Sequence, residues 1–178
     1  MAEESSAAEK SSPRVARSRR YVTGTNSAGK SCVVDVGDIP ASARWTHGDA
    51  QAHDFWVVPA LPAPLDESSN PPDGWVGINA APQGGVIGRL ITWPPGFQYP
   101  MHATPTLDLV IIVSGQLELG LECEQHRVVA GDVVVQRGTA HSWRNPGPDP
   151  CTFAVILLDA AKRLSKAAAG EDERRQPS

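Results

Sequence analysis

The 178-residue chain predicts an all-β domain, a β-sandwich or small barrel, from three features of its middle. Its apolar stretches are short and rich in β-branched residues, as strands are. In one of them Leu117, Leu119, Leu121 and Cys123 alternate with Glu118, Gly120 and Glu122, the period of two of a half-buried strand. Gly and Pro number 16 each, and nine of the prolines fall between Pro59 and Pro100, which forbids long helices there.

Residues 1–18 are Ser, Ala, Glu, Lys and Arg without periodicity and read as a tail, because such a composition buries too little to offset chain entropy. The Arg17 to Arg20 cluster is a solvated charge run or an anion contact. Gly24-Thr-Asn-Ser-Ala-Gly29-Lys30-Ser31 satisfies a phosphate-loop pattern. That loop needs a helix to start at the lysine, and here a β-branched run, Cys32 to Val36, follows instead. The stretch from Arg20 therefore predicts a hairpin turning at Asn26 to Gly29. Further strands are expected at Trp56 to Val58, Val86 to Trp93, Leu109 to Val113, Gln116 to Cys123, Gly131 to Gln136 and Thr152 to Leu158. A short helix is expected from Asp159 to Ala169, and a charged tail covers 163–178. One domain, 19–162, lies between the tails.

With 16 basic and 20 acidic side chains and a net charge of -4, the chain has no electrostatic footprint for nucleic acid. No apolar run reaches the roughly 18 residues that a membrane span requires. The polar, acidic start lacks a secretory h-region, and Cys32, Cys123 and Cys151 lie far apart, as reduced thiols do. The expectation is a cytoplasmic protein that binds neither nucleic acid nor membrane.

The chemistry concentrates in two segments. In the first, His102, Thr104 and Asp108 are separated by even steps, so an extended chain points all three to one face with Val110 and Ile112; Pro105 interrupts that run. In the second, His141 follows the glycine turn at Gly138. Two histidines and a carboxylate converging in a barrel would make a facial metal triad with open positions. Alternatively, His102 and Asp108 are a hydrogen-bonded pair in a metal-free pocket, with histidine as acid or base. His126 is expected in a solvated turn, and His47 and His53 on the surface. Trp56, Trp93, Phe97, Tyr99 and Trp143 pack the core or wall the pocket.

At these residues the sequence resembles the cupin superfamily. Its first motif, G-x5-H-x-H-x3,4-E-x6-G, is matched in register by Gly96, His102, Asp108 and Gly115, with Thr104 in place of the second histidine and Asp108 in place of the glutamate. Its second motif, G-x5-P-x-G-x2-H-x3-N, is similar to the run of Gly131, Gly138, His141 and Asn145, one residue shorter and without the proline. The motifs cover 96–158, separated by the short stretch from Gln116 to Ala130. The resemblance implies a double-stranded β-helix, or jelly roll, with extra N-terminal strands and the binding site in its mouth. It also implies one divalent metal, iron, manganese, nickel or zinc, on His102, Asp108 and His141, or a metal-free site on the same residues. Pairing into a homodimer is expected with it.

The surrounding residues, including Gln136-Arg137-Gly138-Thr139 and Trp143-Arg144-Asn145, look like those of small fungal and bacterial cupins of secondary metabolism, some resembling polyketide cyclases or decarboxylases. The function implied is a small-molecule lyase or cyclase that abstracts a proton from a polyketide-like acid and loses water or carbon dioxide. His102, Asp108 and His141 are the candidate catalytic residues, and Thr104, Tyr99, Trp143 and Arg144 the candidate substrate contacts. An iron-dependent dioxygenase and a non-catalytic ligand-binding cupin are the alternatives.

Overall fold

A computed structural model describes residues 18–39, 50–65 and 81–160. Among these residues there are eleven strands and no helix. The first two, β1 (Arg19–Thr25) and β2 (Ser31–Asp38), form the expected hairpin as a two-stranded sheet of their own. Its turn is held by Asn26, whose side-chain oxygen accepts hydrogen bonds from the backbone N–H groups of Ala28 and Lys30. Lys30 leads directly into β2, so the phosphate-loop pattern has no helix to act through.

The remaining strands are β3 (Gln51–Val58), β4 (Val86–Trp93), β5 (Gln98–His102), β6 (Thr106–Ser114), β7 (Gln116–Leu121), β8 (Gln125–Val129), β9 (Val133–Arg137), β10 (His141–Arg144) and β11 (Cys151–Asp159). They make a five-stranded sheet ordered β3-β4-β11-β6-β9 and a four-stranded sheet ordered β5-β10-β7-β8, with every pairing antiparallel. This is the jelly roll that the motifs imply. The strict alternation of β11 turns Cys151, Phe153, Val155 and Leu157 to the interior. They meet Ile87, Ile91, Trp93, Val110 and Ile112 of the same sheet, and Leu117, Leu119, Val128 and Trp143 of the other, in one core. At the sheet-to-sheet corner between β6 and β7, Gly115 has φ +77°, and a Cβ there would come 2.9 Å from the Pro150 carbonyl oxygen.

Several elements differ from expectation. β3 begins five residues before Trp56, which places His53 half-buried within a strand instead of at the surface. β8 and β10 escape a reading of apolar runs: β8 buries only Val128, and β10 is four residues long. His126 is therefore a strand residue and not a turn residue, although it is exposed and paired with Glu124 at 3.0 Å. Asp159 closes β11 instead of opening a helix; the remainder of the expected helix, the two tails through residues 17 and 163, and His47 lie outside the described residues. No helix among the described residues is long and apolar enough to cross a membrane.

Asn145 is completely buried just beyond β10, its amide nitrogen 3.1 Å from the carbonyls of Trp93 and Pro94 and 2.9 Å from that of Asp149. Replacing it with Ala strands those carbonyls, so Asn145→Ala is expected to lower the unfolding free energy in urea by on the order of 2–4 kcal/mol. The exposed Gln98→Ala should stay within about 0.5 kcal/mol of the parent.

Candidate functional site

The chain places its two motif histidines side by side by strand pairing. His102 ends β5, His141 begins β10, and the two are register partners, with ring centroids 4.3 Å apart. Asp108 stands on β6 in the facing sheet. The single extended run that would carry His102, Thr104 and Asp108 on one face does not form. The chain leaves the four-stranded sheet after His102, passes through residues 103–105 and enters the five-stranded sheet at Thr106. Parity holds within β6, where Asp108, Val110 and Ile112 all point inward. His102 reaches the same space because its own sheet lies opposite.

Each imidazole is fixed in one tautomer. His102 Nδ1 lies 2.9 Å from the Pro100 carbonyl oxygen, and His141 Nδ1 lies 2.9 Å from that of Thr139. A carbonyl can only accept, so Nδ1 carries the hydrogen in both rings and Nε2 is left as the acceptor. The Thr139 carbonyl is itself held by the Gln136 amide at 3.1 Å, which also donates to Thr139 Oγ1 at 2.7 Å. Gly138, at φ +62°, makes the turn that brings Thr139 round, where a Cβ would come 3.2 Å from the Thr104 carbonyl oxygen. Thr104 Oγ1 donates to Asp108 Oδ2 at 3.0 Å, while Asp108 Oδ1 is buried without a hydrogen-bond partner.

These residues border a cavity of about 350 Å³, whose walls include Tyr99, His102, Thr104, Asp108, His141 and Trp143. Tyr99 stands edge-to-face with His102 and Trp143 with His141, at centroid distances of 4.5 and 6.0 Å. Trp93 lies tilted against Phe97 and edge-to-face with Phe153, at centroid distances of 4.8 and 4.9 Å. Arg144 is not brought in. It has the opposite strand parity to His141 and Trp143 and points outward, forming paired hydrogen bonds of 3.0 and 2.9 Å with Glu118. The cation in the cavity wall is Arg89, 3% exposed and bound through Nε and Nη2 to the Asp54 carboxylate at 2.5 and 3.2 Å. Sequence reading passed over it as part of an apolar strand. The signal was its even step with Ile87, Ile91 and Trp93, which puts a charge in an inward row.

Asp108 Oδ1 and the two Nε2 atoms are suitable metal donors by chemistry. Among the described residues, however, no three His, Cys, Asp or Glu side chains are arranged to hold a metal ion. Thr104, standing where the motif has a ligating histidine, engages Asp108 instead. As it stands, this donor set does not fit a metal centre.

Burial holds the His141 imidazole below its ordinary value of 6.5, and the neighbouring His102 acts in the same direction; the hydrogen bond to Thr139 and the Asp108 charge oppose them. His141 is thus a neutral base near pH 7. Below 6.5 the unfolded chain takes up a proton that folded His141 refuses, so stability falls with pH from 6.5 down to the lowered value. Thermal unfolding followed across this window should show His141→Gln flattening part of the decline.

The cupin domain family model matches residues 89–157. Oryzines biosynthesis cluster protein J of Aspergillus oryzae is 34% identical over 131 residues, covering 68% of this chain and 73% of that protein. A cupin-domain-containing oxidoreductase of Aspergillus ruber is 31% identical over 150 residues, covering 79% and 71%. Among solved structures, a cupin 2 conserved barrel domain protein of Salinispora arenicola is similar at 19% identity and a TM-score of 0.44, covering 72% of this chain and 86% of that one. With relatives of this identity and coverage, a matching family model and the jelly roll described above, the chain belongs to the cupin family.

Proposed function

We propose that this cupin is a small-molecule tailoring enzyme of secondary metabolism, of lyase or cyclase type, acting on a polyketide-like acid. The observation that carries the reading is the histidine pair: two imidazoles 4.3 Å apart, each with Nδ1 bound to a backbone carbonyl and Nε2 available as a base. The relatives named for biosynthesis clusters support the setting. His141, kept neutral by burial, takes the proton from a carbon activated by a neighbouring carbonyl, and the electron pair moves to that oxygen as an enolate. The proton then passes through the adjacent His102 to a hydroxyl that departs from the next carbon, so that water leaves and a C=C bond forms; on a β-keto acid, loss of carbon dioxide itself forms the enolate, which takes a proton at carbon from the histidine pair. The apolar walls keep the enolate from bulk water.

The test is proton–deuterium exchange at carbon, followed by nuclear magnetic resonance in deuterated water with a β-keto acid such as 3-oxo-3-phenylpropanoate. Wild-type exchange should exceed that of His141→Gln by about 100-fold or more. Equal rates in the wild type, His102→Gln and His141→Gln would sink the reading. Relatives that bear the name oxidoreductase favour a second reading as an iron-dependent dioxygenase, in which Asp108 would have to leave Thr104 to join the two histidines. About one metal per chain in untagged protein, lost in both Asp108→Ala and His141→Ala, with oxygen uptake, would put that reading first.

A further inference from the structure

Three buried polar groups in the cavity wall have no part in moving that proton: the Arg89 guanidinium, the Trp93 indole N–H and the second oxygen of Asp108. Trp93 Nε1 and Asp108 Oδ1, a donor and an acceptor, are both buried with no hydrogen-bond partner, and both residues line the cavity. A buried polar atom in this state costs stability unless something enters to meet it. Arg89 is the only lysine or arginine among the described residues lining the cavity, where it stands amid Ile91, Val110, Phe153, Val155 and Leu157. An ion pair such as Arg89 with Asp54, their side chains 4% and 9% exposed, adds little stability over an apolar pair of the same size. Its place in a cavity wall points to recognition.

Strand register fixes how these groups are spread. Across the five-stranded sheet, Arg89 pairs with Val155 and Val155 with Val110, while Ile87 pairs with Leu157 and Leu157 with Asp108. Arg89 and Asp108 are therefore two strands and one inward step apart, with Cα atoms on the order of 12 Å from each other. Asp54, the register partner of Arg89 on the edge strand β3, binds the guanidinium through Nε and Nη2. An anion is drawn to the Arg89 end and repelled from the Asp108 end. A hydroxyl donor suits Asp108 Oδ1. A volume of about 350 Å³ suits a molecule of one or two rings.

We propose that the cavity takes a hydroxylated organic acid, its carboxylate on the Arg89 guanidinium that Asp54 positions, its hydroxyl donating to Asp108 Oδ1, and a further ligand oxygen accepting from Trp93 Nε1. The assignment rests on reading the cavity as a substrate site, and it adds the recognition elements to that reading.

The test is calorimetric binding to the full chain of 3-(4-hydroxyphenyl)propanoate, its methyl ester, and 3-phenylpropanoate, measured apart from turnover. The hydroxy acid should bind about ten-fold or more tightly than either analogue. In Arg89→Met/Asp54→Leu, which removes both charges together, acid and ester should bind alike while the hydroxyl preference survives. In Asp108→Leu, which offers a hydroxyl neither acceptor nor donor, the hydroxyl preference should vanish while the acid preference survives. If the double variant does not fold, Arg89→Lys serves in its place: it keeps the charge, loses the planar fork and should cut the acid preference at least about three-fold. Absence of binding, equal binding of acid and ester by the wild type, or either preference persisting in its own variant overturns the assignment. Both preferences without carbon exchange would sink the proton-transfer reading alone, and exchange without them would sink this one alone.

Discussion

The site depends on one buried amide. Asn145 has no exposed surface, and its side chain ties the end of β10 to the carbonyls of Trp93 and Pro94 where β4 ends. Its backbone completes the clamp: the Asn145 N–H donates to the Phe97 carbonyl, and the Gly96 N–H donates to the Asn145 carbonyl. The turn that launches β5 and the strand that carries His141 and Trp143 are thereby held together. β5 then reaches His102 within five residues, in register with His141. A hydrogen-bonded amide suits this task because its donors and acceptor act in fixed directions, whereas apolar packing alone would let a four-residue strand slide.

A second layer of polar contacts sets the chemistry of the histidines. The Gln136 amide holds Thr139, the Thr139 carbonyl holds His141 Nδ1, and burial then keeps the ring neutral. His102 obtains its tautomer from the carbonyl of Pro100 in its own strand. These bonds cost little because each joins a ring to a nearby backbone group, and they leave both Nε2 atoms available to a ligand. Cys151, by contrast, sits fully buried with its thiol pushed up to about 11 by desolvation, and behaves as core.

The five-stranded sheet does two jobs on one inner face. Towards Cys151, Phe153 and Ile112 its rows are apolar and pack the core. One and two steps further along, the same rows carry Arg89 and Asp108, whose polar atoms apolar packing cannot satisfy. The cavity lies where those rows change character.

What the sequence by itself determined is local. The period of two sorts Cys151, Phe153, Val155 and Leu157 from their neighbours. The glycine and histidine spacings mark the turns at Gly96, Gly115 and Gly138, and the β-branched run after Lys30 rules out a phosphate loop. Such features follow from backbone sterics and strand pleat, which act over a few residues. Strands without an apolar run, β8 and β10, were invisible at that range because their partners, not their composition, hold them in a sheet. Only the tertiary structure decided what faces what: that His102 and Asp108 converge from opposite sheets, that Arg144 turns out to Glu118, and that Arg89 turns in against Asp54. Parity divides a strand into two faces but does not say which is inside or what stands across from it. That is set by long-range register and by the crossings between sheets at residues 103–105 and Gly115.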